Sequence, residues 1–146
     1  IDDHILKKPG TYTKKEYEDM KQHVLIGYEI IDSIKTKYPR ITFLDMGAII
    51  TRSHHERYDG SGYPDGLKQD EIPLPARIVA LADFYDAMIS KRVYKRSYSH
   101  EETKQEIIEA KGTHFDPDIV DAFIKSEQEF IKVSQMLMAQ EEVNHG

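Results

Sequence analysis

Cysteine is absent from the chain, and that absence excludes disulfide bridges, zinc–thiolate sites and cysteine nucleophiles. A cytoplasmic setting fits it. Long apolar runs are lacking too. None reaches the roughly 18 to 20 residues a membrane-spanning helix needs, so no membrane span is expected in this chain. Basic residues are in the minority, 20 Lys and Arg against 26 Asp and Glu, for a formal net charge of −6. That balance makes a DNA or RNA polymer a poor partner, because such binding relies on many cationic contacts to phosphate. A small anionic ligand held by a local basic pocket or a metal stays compatible with it. No charged-then-apolar leader follows Ile1, and the start is expected to lie inside a longer polypeptide. Strand-like alternation, internal repeats and low-complexity tracts are all missing.

What is present reads as one all-α domain of about five helices in 146 residues. Residues 1 to 12, with Pro9-Gly10, form an irregular lead-in. Thr13 and Glu16 have capping-box spacing, each able to satisfy an orphan backbone N–H at a helix start. Tyr17, Met20, Val24, Gly27, Ile31 and Ile34 then recur at helical spacing over about 14–36. A second helix is expected over about 42–56. Three glycines and a proline in Asp59-Gly60-Ser61-Gly62-Tyr63-Pro64-Asp65-Gly66 rule out helix continuation and give a loop. A helix over about 75–91 follows, with a stripe of Ile78, Ala82, Tyr85 and Ile89. A second capping box, Ser99 to Glu102, opens a helix that Gly112 ends. Asp116-Pro117 reads as an N-cap with proline at the first helical position. Ile119, Phe123, Phe130 and Met136-Leu137 suggest one long last helix.

Four residues on three of these helices carry ligand chemistry. His23 edges the buried stripe of the first helix; it could be a core-edge histidine bonded to a carbonyl or a ligand. His54 and His55 are adjacent at the end of the second. Neighbours on a helix point about 100° apart, so they serve two nearby ions, or an ion and a phosphate, more readily than one ion. A pair of surface histidines at a helix C-terminus is the plain alternative. Asp83, among Ala80, Leu81, Ala82 and Phe84, needs a cation or a hydrogen-bonded partner if it is buried. Imidazole and carboxylate donors without sulfur suit iron, manganese, zinc or similar divalent ions, and two such ions side by side favour hydrolysis at phosphorus. Arg92 and Lys95 follow the Asp83 helix, either compensating its dipole or clamping a phosphate.

His54-His55-Glu56-Arg57-Tyr58-Asp59-Gly60-Ser61-Gly62-Tyr63-Pro64 closely resembles the HHExxDGxGYP signature of HD-GYP domains. Ordered satellites agree: Ile5-Leu6 to Pro9-Gly10, Met20-Lys21 to Gly27, Glu71-Ile72-Pro73-Leu74 to Ile78, Ala82-Asp83 to Asp86-Ala87, Arg92 to Lys95, and Gly112-Thr113 to Pro117. The likeness runs over about residues 1–125, leaving a C-terminal helical extension to 146. It implies an HD-superfamily helical bundle and a phosphodiesterase acting on a cyclic dinucleotide, cyclic di-GMP or cyclic GMP-AMP, to give a linear dinucleotide or GMP. It implies two or three divalent ions, iron or manganese, with His23, His54, His55 and Asp83 as ligands. Gly62, Tyr63 and Pro64 would shape the substrate loop, and Arg92 and Lys95 would meet the phosphates. His4, His100, His114 and His145 match no ligand position.

One departure stands out. The family's His-Asp dyad, followed closely by a lysine, precedes the segment that begins here at Ile1. The chain is therefore expected to be the N-terminally truncated, larger part of an HD-GYP domain, with a regulatory domain upstream and room for a homodimer. The competing reading is a non-catalytic module that senses a cyclic dinucleotide or binds a protein.

Overall fold

The computed structural model describes residues 13–90 and 97–144. Among them are six α-helices: α1 (Lys14–Lys37), α2 (Phe43–Ser53), α3 (Leu74–Ile89), α4 (His100–Glu109), α5 (Pro117–Lys125) and α6 (Glu127–Asn144), with a single 3-10 turn at Gln69–Glu71. No named strand occurs among the described residues. The helical class matches the expectation, and none of the helices is long and apolar enough to cross a membrane.

Local chemistry sets most boundaries. The Thr13 hydroxyl accepts the Glu16 N–H while the Glu16 carboxylate accepts the Thr13 N–H at 2.7 Å. Ser99 and Glu102 repeat the exchange at the start of α4. The Asp116 carboxylate accepts the Asp118 N–H at 2.8 Å, with Pro117 filling the position whose N–H would have no partner. These caps are short-range, so residue type at fixed spacing is enough to specify them.

The single long last helix is corrected to two. At Ser126 the backbone leaves helical geometry (φ −106°, ψ 12°), its N–H bonding back to Ala122 and Phe123. Its carbonyl then accepts from Glu129 and Phe130 to start α6. The bend lets the Phe130 ring meet the Phe123 ring edge-on at 4.9 Å and the Tyr85 ring at 5.1 Å. The stripe expected on α3 is shifted as well. Ile78 and Ala82 are exposed, and Ala76, Ala80, Leu81, Tyr85, Met88 and Ile89 are buried.

The chain forms two compact units, Ile1–Ala80 and Leu81–Gly146. In the first, α1 and α2 pack as an antiparallel hairpin. Lys35 bonds Asp45 at 3.0 Å near the connection, and Gly27 lies against Thr51 farther along. Met20, Val24, Ala48, Ile72, Ala76 and Ala80 are buried there, while Ile26, Ile30, Phe43 and Met46 are exposed. In the second, Leu81, Tyr85, Ile89, Ile107, Phe115, Val120 and Phe123 form one apolar cluster, with Phe84 and Phe130 against it.

Candidate active site

α2 ends at the histidine pair. The His54 backbone N–H caps the helix on the Ile50 carbonyl at 3.0 Å, and His54 Nδ1 meets the same oxygen at 2.8 Å. A carbonyl can only accept, so Nδ1 carries a proton, and in the neutral ring the lone pair is on Nε2. A backbone carbonyl holding the far nitrogen of an imidazole is the usual way a metal-binding histidine is oriented. The His55 ring lies 4.0 Å from that of His54, tilted by 39°.

The loop after the pair folds back over it. Tyr63 stacks on His55 with ring centroids 5.0 Å apart and planes 23° from parallel, and its N–H donates to the His55 carbonyl at 3.3 Å. Tyr17, from the first turn of α1, sets its ring edge-on to Tyr63 at 5.1 Å; its hydroxyl donates to the Gly62 carbonyl at 3.4 Å. Four rings thus form a ladder, Tyr17–Tyr63–His55–His54. Pro64 follows through a cis bond.

The fold-back needs glycine at 62. A Cβ there would lie 2.3 Å from the Arg57 nitrogen and 2.6 Å from both Glu56 Cα and the His55 carbonyl oxygen. All three are backbone atoms that cannot swing aside. Gly60, at φ 83°, supplies the left-handed turn before it. Asp59 accepts both the N–H and the hydroxyl of Ser61, at 2.9 and 2.6 Å, closing a local Asx turn.

Two further groups hold the loop's far side. Glu56 is 2% exposed, and its carboxylate accepts the N–H groups of Asp65, Gly66 and Leu67 at 2.7, 3.2 and 3.1 Å. Burial pushes its pKa up, against the pull of those three bonds. Arg52 forks onto both Asp65 carboxylate oxygens at 2.8 Å while lying over the Tyr28 ring at 4.9 Å. Asp65 keeps the guanidinium charged above its ordinary pKa range.

Of the sequence-predicted site residues, the structure gathers His54, His55, Gly62, Tyr63 and Pro64. His23 on α1 and Asp83 on α3 are both exposed, so the core-edge histidine and the carboxylate in apolar surroundings are corrected. Helical spacing gives the direction a residue faces but not what covers that face. Among the described residues no group of three or more His, Cys, Asp or Glu is arranged to hold a metal ion. The His54–His55 pair, with the His54 tautomer set by Ile50, fits part of a divalent-ion donor set. Arg92 and Lys95 lie outside the described residues. Sequence reasoning missed Tyr17, Arg52 and the anchoring by Glu56. Tyr17 sits on the apolar stripe of its helix like any core residue, and the Arg52 partner, Asp65, lies 13 residues on, beyond the reach of local spacing.

An all-helical architecture with an adjacent histidine pair beneath a glycine-pinned tyrosine loop defines a narrow class. The sequence matches the HD-domain family over residues 3–119. It is 46% identical over 142 residues to a probable cyclic di-GMP phosphodiesterase of Vibrio cholerae, covering 97% of this chain and 32% of that protein. It is 47% identical over 133 residues to a cyclic di-GMP phosphodiesterase of Thermotoga maritima, covering 91% and 35%. The solved structure of a cyclic GMP-AMP specific phosphodiesterase from V. cholerae superposes with a TM-score of 0.62 over 92% of this chain and 35% of that one, at 21% identity, a likeness of fold. The chain belongs to the HD-domain family and, within it, to the HD-GYP type. Divalent metal use goes with that family. The chain spans about a third of the length of the curated relatives it matches.

Proposed function

We propose that the protein containing this chain is a metal-dependent phosphodiesterase that hydrolyses a cyclic dinucleotide, cyclic di-GMP first, to a linear dinucleotide or GMP. The observation that carries the reading is the assembled His54–His55–Tyr63 ladder inside the HD-GYP signature. The family match crosses both compact units, which supports reading 1–146 as part of one catalytic domain.

His54, His55, His23 and Asp83 would hold two or three divalent ions, iron or manganese. A bound ion supplies Lewis acidity, neutralising phosphate charge and making water acidic enough to ionise near neutral pH. Ile50 fixes the His54 ring in the tautomer such a ligand needs. Tyr63, braced by Tyr17 and His55, would be held in a fixed orientation to meet a base or ribose, and Gly62 and Pro64 shape its approach. Arg92 and Lys95 would take the phosphates, Arg by a planar fork and Lys as a point charge. The reading puts the protein in the cytoplasm with a regulatory region attached, and is compatible with a homodimer.

Metal analysis and turnover on the full-length protein test it. We expect bound iron or manganese, cleavage of cyclic di-GMP, loss of cleavage on chelation, and at least ~100-fold lower turnover in H55A. A protein that holds metal and binds cyclic di-GMP or cyclic GMP-AMP without cutting either is a sensor, and the hydrolase reading fails.

A further inference from the structure

We infer that Glu56 is a positioning residue for the proposed reaction: its carboxylate fixes the far end of the substrate loop, and thereby holds Tyr63 against His55. The Glu56 carboxylate bonds to the backbone of the loop. It sits one residue after His55, buried, with its oxygens on the N–H groups of Asp65, Gly66 and Leu67. Those amides begin two residues after Tyr63, so the segment between them is tied at both ends. Tyr63 N–H bonds the His55 carbonyl on one side, and the Glu56 cradle holds the other. Just before the first tie the chain passes so close to residues 55–57 that no Cβ fits at Gly62. The loop has one snug seating on the helix end, and loss of the cradle frees it to lift. A lifted loop takes the Tyr63 ring with it, because the ring stacks on a residue of the helix end and not on its own loop.

The activity arm rests on the phosphodiesterase reading; the structural arm does not. Glu56→Gln preserves the volume but turns an NH2 toward N–H donors, so it can accept fewer of them. In the full-length protein, E56Q should raise amide exchange of Asp65, Gly66 and Leu67 by about ten-fold, roughly one hydrogen bond's worth. Exchange at Val24 and Ala48 should stay within about two-fold. The ring-current shift of His55 protons by Tyr63, read by NMR, should shrink. Turnover of cyclic di-GMP should fall about ten- to hundred-fold. In a Y63A background, E56Q should cost less than about two-fold more, since both variants remove the same ring placement. Glu56→Asp, which keeps the carboxylate, should fall between the two.

Losses that multiply in the double variant overturn the assignment, as does an unchanged His55 shift in E56Q. Loss of helical circular dichroism in both E56Q and E56D makes Glu56 a stability residue and also overturns it. Should the wild-type protein cut no cyclic dinucleotide, the phosphodiesterase reading fails, and exchange and the His55 shift decide the role of Glu56.

Discussion

Residues 1–80 and residues 81–146 solve the packing problem with different forces. In the second unit, Tyr85, Phe123 and Phe130 meet edge-on or tilted, in one cluster with Leu81, Ile107, Phe115 and Val120. Apolar burial is nondirectional, so this cluster tolerates small shifts and supplies stability. In the first unit the loop above the histidines is held by directed contacts: the Glu56 carboxylate, the Arg52–Asp65 fork, and a glycine pressed on backbone. Hydrogen bonds of this kind add little net stability but fix geometry to a few tenths of an ångström. The contrast assigns positioning to one unit and cohesion to the other, and substitutions should separate them.

The largest effect belongs to the aromatic core. Phe123→Ala should cost about 3–5 kcal/mol, read as a drop in thermal midpoint. Per remaining folded molecule, metal content and turnover at low temperature should be little changed. A large loss of turnover with intact folding breaks the contrast. Next comes Gly62→Ala. Its Cβ meets backbone at 2.3 Å, and overpacking of this sort costs about 1–3 kcal/mol. Because the loop must lift to make room, turnover should fall by more than stability does. Equal losses would mean that the loop's seating matters only for folding.

The smallest effect is a pH dependence inside the second unit. Lys104 donates to Glu127 across α4 and α6, with His100 nearby, and this holds the Glu127 pKa below the usual carboxylate range. A depressed folded-state pKa stabilises above the unfolded value of about 4.3 and loses that contribution as pH falls through the lower folded value. Melting curves of the wild type and E127Q should therefore differ near neutral pH and converge as pH falls below the lowered folded value. A gap that widens on acidification contradicts the assignment.

The unevenness of the sequence reading follows from range. The capping boxes at Thr13 and Ser99, the Asp116-Pro117 start and the glycine-rich loop were legible because each depends on neighbours within four residues. The break at Ser126 was not. Apolar spacing continues across it, and the bend exists so that Phe130 can reach Phe123 and Tyr85. The exposure of His23 and Asp83 was equally hidden, since a helical wheel does not say which face finds a partner. The histidine pair and the tyrosine loop were visible as a signature. Their ring ladder was not, because Tyr17 joins it from 45 residues before Gly62.

By itself, then, the amino-acid order determined an all-helical chain, the main helix starts, the turn chemistry of the loop and the family to which it belongs. Those depend on backbone preferences and on hydrogen bonds that close over a few residues. Tertiary structure alone decided that Glu56 would be buried beneath three backbone amides, that Arg52 would fork onto Asp65, and that Tyr63 would lie on His55. Each of these needs groups that are distant along the chain to meet at bonding distance, and only packing brings them there.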